Sequence, residues 1–150
     1  MRNPKPFNPA LPQGVKLAQV DLINKRYYRA QIHSTDNGHQ VNSCAPLALS
    51  IVLNKPFSEI NAWLKSLGAR KSDTTVTYIR KVLDEPNGFK NVTYKYAQWK
   101  TVAAFTRNEK SGKFLVKVNR HLVAVIDGVL YNTFAGGRRS RIKSIYQYTK

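Results

Sequence analysis

The sequence predicts an α+β fold, with helices in the first half and an antiparallel sheet in the second. Three observations carry this. Apolar residues between about 44 and 83 recur at helical spacing, and beyond residue 92 they alternate with polar ones, the period of a half-buried strand. Asp127-Gly128, set between two apolar runs, is a preferred two-residue hairpin turn. Helices in series followed by strands in series sort into α+β rather than into an alternating parallel architecture.

Taken in order, the polar start with Pro4, Pro6, Pro9 and Pro12 reads as an extended arm over residues 1–14, and residues 15–150 as one domain. Residues 15–33 give no clear period apart from a short strand at 27–32. Ser34-Thr35-Asp36-Asn37-Gly38 is a turn cluster. Ser43 is placed to cap a helix over residues 44–53, where Pro46 is tolerated because first-turn N–H groups lack helical partners. Ser58 can cap a second helix with Ile60, Trp63, Leu64 and Leu67 on one face, closed by Gly68. Thr74 or Thr75 can start a third, burying Val76, Ile79, Val82 and Leu83 before the Pro86-Asn87-Gly88 break. Val92, Tyr94 and Tyr96 then read as a strand, residues 99–106 as a short helix, and residues 114–118, 122–126 and 129–134 as three antiparallel strands, with a last strand over 141–148.

Charge and cysteine usage bound the function. The chain carries 25 Lys and Arg against 8 Asp and Glu, a formal +17. Such an excess points to an anionic partner, whether nucleic acid, nucleoprotein, an acidic protein or a membrane surface, and it also fits a surface that is merely solvated. Its densest run is Gly136-Gly137-Arg138-Arg139-Ser140-Arg141-Ile142-Lys143, and Arg138, Arg139, Arg141 and Lys143 are the candidate anion-binding residues. The single cysteine excludes an intramolecular disulfide and a multi-Cys zinc site, which fits a reducing, cytoplasmic compartment. No apolar run reaches the ~18 residues that cross a bilayer, and the start of the chain lacks a signal peptide's apolar stretch. Three scattered histidines with no Glu or Cys partner at ligand spacing point to no metal, and no phosphate-binding or dinucleotide glycine motif is present, so no cofactor is expected.

That cysteine, Cys44, opens the first apolar helix, where a helix N-terminus favours a thiolate. If Asp127 and Gly128 are the two loop residues, Ile126 pairs with Val129, Val125 with Leu130, Ala124 with Tyr131, and Val123 with Asn132. His121 and Asn132 then become diagonal neighbours on one strand face, the placement of a base and its orienter. Asp127 is the rival orienter, although the same parity sets it at the turn and on the other face. His33 and His39 are the other candidate bases. The Cys44 N–H is one oxyanion donor, and Gln40 or Asn42 is a candidate for a second. A lone cysteine among Ala and Leu also fits a small buried hydrophobe; the ordered set of three points to chemistry.

Asn42-Ser43-Cys44 at a helix start, with the run from His121 through Asn132-Thr133-Phe134, resembles the papain-like cysteine peptidase superfamily. Within it, the chain looks most like short bacteriophage and bacterial proteins akin to the bacteriocin-leader peptidases of ABC exporters. The resemblance spans roughly residues 38–134 and implies a papain-like fold, with the Cys helix packed on a C-terminal antiparallel sheet. It implies Cys44 as nucleophile, His121 as base and Asn132 as orienter. Asp stands more often where this chain has Asn132, and the usual oxyanion Gln lies further upstream than Gln40. The expected function is a thiol hydrolase, a phage-encoded peptidase or isopeptidase acting on protein or peptide in the host cytoplasm or the virion. The alternative is an inactive basic protein of the same fold that binds nucleic acid or an acidic host protein.

Overall fold

A computed structural model describes residues 9–23, 26–35, 44–68, 81–119, 121–132 and 140–150. They form an α+β structure in which three α-helices pack against one seven-stranded mixed sheet. The strands are β1 (Val15–Ile23), β2 (Tyr27–Ser34), β3 (Phe89–Asn91), β4 (Lys113–Val118), β5 (His121–Ile126), β6 (Val129–Asn132) and β7 (Ser144–Tyr148). The helices are α1 (Cys44–Leu53), α2 (Phe57–Ser66) and α3 (Val102–Asn108), with 3-10 turns at Glu85–Asn87 and Thr93–Tyr96. Across the sheet the order is β1-β2-β6-β5-β4-β7-β3, and every neighbouring pair is antiparallel except β2 with β6. No helix among the described residues is long and apolar enough to cross a membrane.

Each face of the sheet carries its own core. On one, Leu115, Leu122, Ala124, Tyr131, Ala30 and Ile32 pack under α1 and α2. On the other, Phe114, Val116, Val118, Val123, Val125, Leu130 and Ile145 pack under α3 and the Thr93–Tyr96 turn. Helix α1 is buried from Ala45 through Val52, which explains why its sequence reads as a continuous apolar run instead of a stripe. Its one interior hydroxyl, Ser50 Oγ, donates to the Pro46 carbonyl at 2.7 Å, so no polar atom there lacks a partner.

Several readings of the sequence need correction. The short strand at 27–32 is half of a long hairpin, β1–β2. A register shift between Leu17 and Gln19 puts Val15, Leu17, Val20 and Leu22 on one face, which spaces the apolar residues two, three and two apart and erases the period. The stretch 92–96 is a 3-10 turn and not a strand. Asn91 Oδ1 accepts from the Thr93 N–H at 3.0 Å and from its hydroxyl at 2.6 Å, an Asx turn that bends the chain. Val92 and Tyr96 are buried on either side of Tyr94, which is 75% exposed. Helix α2 starts ahead of Ser58: Pro56 stands at its N-cap without a side-chain bond, and the Phe57 N–H donates to the Gln13 carbonyl at 2.8 Å.

That bond docks the end of the proline-rich stretch onto α2, with Leu11 packed on the core. A Cβ on Gly14 (φ +87°) would lie 2.9 Å from the Phe57 Cβ, so only glycine allows the approach. The helix expected from Thr74 or Thr75 lies outside the described residues up to residue 80; Val82 and Leu83 beyond it are buried. The Pro86-Asn87-Gly88 break is the Glu85–Asn87 turn, capped by the Asp84 carboxylate and closed by Gly88 at φ +92°. Helix α3 starts later than residue 99, where Thr101 Oγ1 accepts from the Ala104 N–H.

Candidate active site

The site begins with the hairpin turn. Asp127 (φ +49°) and Gly128 (φ +79°) both take left-handed backbone, the pair of conformations that a type I′ turn demands. Ile126 therefore pairs with Val129, Val125 with Leu130 and Ala124 with Tyr131. One step further along this register sets Asn132 across from Val123 and diagonal to His121. Asn132 Oδ1 lies 2.6 Å from His121 Nε2. His121 is 8% exposed and Asn132 1%, so this bond is shielded from water.

An amide oxygen only accepts, so Nε2 must carry a proton. The other ring nitrogen, Nδ1, is left to face the thiol, and the ring is hydrogen-bonded to Cys44. Cys44 is the first residue of α1 and is half-buried. The two partners arrive from different layers. His121 and Asn132 share a face with Val123, Val125 and Leu130, whereas α1 covers the opposite face. Each is an end residue of its strand, as Cys44 is of its helix. The thiol and the ring therefore meet where sheet and helix both terminate, beside the helix's positive end.

Burial of the ring works to lower the His121 pKa. The hydrogen bonds to Cys44 and Asn132 and the charge of Cys44 outweigh it, and the imidazole lies above its ordinary 6.5. A pKa raised by folding means that the protonated ring stabilises the fold. That contribution is complete below about pH 6.5 and is lost as pH rises through the folded value. In Cys44→Ala the burial contribution should dominate, and the His121 ring titrated by NMR should show a pKa below that of the wild type. An unchanged titration curve would mean that ring and thiol do not interact.

Among the other candidates, Asp127 lies at the opposite end of the hairpin, where its Oδ1 accepts from the Gly112 N–H at 2.9 Å. His33 is exposed on β2. Gln40, Asn42, His39, Arg138 and Arg139 lie outside the described residues. Arg141 and Lys143 are exposed in the segment leading into β7. The parallel pairing of β2 with β6 makes Gln31 the neighbour of Asn132. Nothing local in the sequence signals that contact between strands a hundred residues apart. A cavity of about 450 Å³ lined by Leu53, Glu59, Trp63 and Tyr148 lies at the other end of α1 from Cys44.

What these residues define is a thiol–imidazole–carboxamide chain on an α+β scaffold. The chain matches no protein-family model, and comparison with curated proteins and with solved structures finds no significant match.

Proposed function

We propose that the protein is a papain-like cysteine hydrolase, a peptidase or isopeptidase with Cys44 as nucleophile, His121 as acid–base and Asn132 as orienter. The observation that carries this reading is the unbroken hydrogen-bonded chain from Cys44 through His121 to Asn132. The Cys44 thiolate attacks the acyl carbon, and N–H donors at the start of α1 stabilise the oxyanion. As the tetrahedral adduct collapses, the His121 imidazolium gives its Nδ1 proton to the leaving amine, leaving a thioester on Cys44. His121, now neutral, takes a proton from water as its oxygen attacks the thioester. The acid product leaves and Cys44 returns as thiolate, paired with the imidazolium. Asn132 holds the ring so that one nitrogen always faces sulfur.

The test is cleavage of a mixed peptide library, read by mass spectrometry as new termini. Wild type should generate them, and Cys44→Ser should not. Asn132→Asp should retain turnover, while Asn132→Ala should lose about 10- to 100-fold, less than loss of the acid–base itself, because an orienter neither attacks nor transfers a proton. Asp127→Ala should cost less than Asn132→Ala. A folded Asp127→Ala protein that is the more damaged of the two would make the carboxylate the orienter.

A further inference from the structure

We infer that this thiol site takes an acidic polypeptide, held by a cationic cluster that three segments assemble beside His121. The inference rests on the reading of Cys44 as nucleophile. Val118 pairs with His121 across β4 and β5, and Lys117 is the residue before it. The Lys143 N–H donates to the Lys117 carbonyl at 2.8 Å, and the Ile142 N–H to the Lys100 carbonyl at 2.9 Å, while Arg141 bridges Thr101. Lys100, Lys117, Arg141 and Lys143 thus stand on adjoining segments at the strand end that carries His121. Three of them are exposed and Lys117 is half-buried. Neighbouring segments of this kind run about 5 Å apart, which brings the four backbones together at this strand end. Lys117 alternates with Val116 and Val118 and so lies on the α1 face, and the cations flank the end of the sheet.

None of the six described carboxylates offsets this charge. Asp127 sits at the far turn, bonded to Gly112, and Glu109 accepts from Tyr96 and Ser111 ahead of β4. Glu59 lines the cavity at the far end of α1, and Asp84 caps the turn that Glu85 opens, ahead of Gly88 and its bond to Thr149. Asp21 is paired with Arg29 at 2.7 Å on the β1–β2 hairpin. A cluster of like charges repels itself, and it concentrates an anion that can lie across it. The neighbour of the cluster is a nucleophile suited to an acyl carbon. A chain that offers an amide to Cys44 and carboxylates to the lysines meets both demands at once, which a nucleic acid does not.

The experiment compares two peptidyl chloromethyl ketones of equal length, one carrying Glu residues and the other Gln in their place, as inactivators of Cys44. At low salt the Glu reagent should react about tenfold faster, the lower end of electrostatic steering, and the ratio should approach one at about 0.5 M salt. In the variant K100Q/K117Q/R141Q/K143Q the Glu reagent should lose that tenfold advantage. Equal rates for the two reagents on a Cys44 that iodoacetamide alkylates would overturn the acidic-substrate inference and leave the hydrolase reading in place. A Cys44 inert to both reagents and to iodoacetamide would remove the hydrolase reading and this inference with it. Protection of Cys44 by a single-stranded oligonucleotide, with none from a Glu-rich peptide of equal charge, would reassign the cluster to nucleic acid.

Discussion

Alkylation of Cys44 by iodoacetamide is expected to remain fast at pH 6 and to collapse in His121→Ala. An unperturbed cysteine with a pKa of ~8.5 is only about 0.3% thiolate at that pH, so it reacts some 300-fold below its limit. Here the charge and hydrogen bond of Cys44 raise the His121 pKa. The coupling is reciprocal: whatever the thiolate does to favour the imidazolium, the imidazolium does to favour the thiolate. The paired state should therefore hold most of the thiol ionised at pH 6, and His121→Ala should cost about two orders of magnitude in alkylation rate there. Turnover in Cys44→Ser should fall by at least about 10⁴-fold, as it does when a member of a catalytic unit is removed. A rate that climbs only above about pH 8, and is the same in His121→Ala, would separate the two residues chemically.

The second large effect concerns the face of the sheet that holds His121 in place. Phe105 of α3 is fully buried, with its ring edge-on to Tyr96 at 5.1 Å and 84° and to Phe114 at 5.1 Å and 89°. Val123 and Val125, which follow His121 on the same face, belong to this cluster. Phe105→Ala removes a ring whose place the neighbours cannot fill, which costs about 3–5 kcal/mol. Against a net stability of about 5–15 kcal/mol this is a large share, and the melting temperature should drop by roughly 10 °C or more. Phe105→Leu should lose much less. A thermal or urea melt showing a loss below about 1 kcal/mol for Phe105→Ala would mean that α3 does not close this core.

The expected strand at 92–96 shows where pattern alone misleads. Val92 and Tyr96 are four apart, and both an extended chain and a tight turn can turn such residues the same way. The choice fell to Asn91 and Thr93, whose side chains bond locally, and to Ile145, whose N–H donates to Thr93 Oγ1 at 2.9 Å. The β1–β2 hairpin was hidden for a different reason. A bulge breaks the period of two that makes a strand visible, and no local signal announces a bulge.

By itself the sequence determined whatever rests on neighbours along the chain. The span of α1 follows from an apolar run bounded by Asn54-Lys55-Pro56. The pairing of β5 with β6 follows from a two-residue turn whose left-handed backbone admits one register, and with it comes the diagonal placement of His121 and Asn132. Only the tertiary structure decided what comes from remote segments. The parallel pairing of β2 with β6 set Gln31 beside Asn132, and the contacts of residues 141–143 with Lys100, Thr101 and Lys117 gathered the segments of four cations at one strand end. The end of α1 was likewise brought to the end of β5, so that Cys44 reached a histidine 77 residues away. Turn geometry is set by a few backbone angles and is written locally. Contacts of long sequence separation are selected by burial of two cores, a property of the whole chain that no single segment carries.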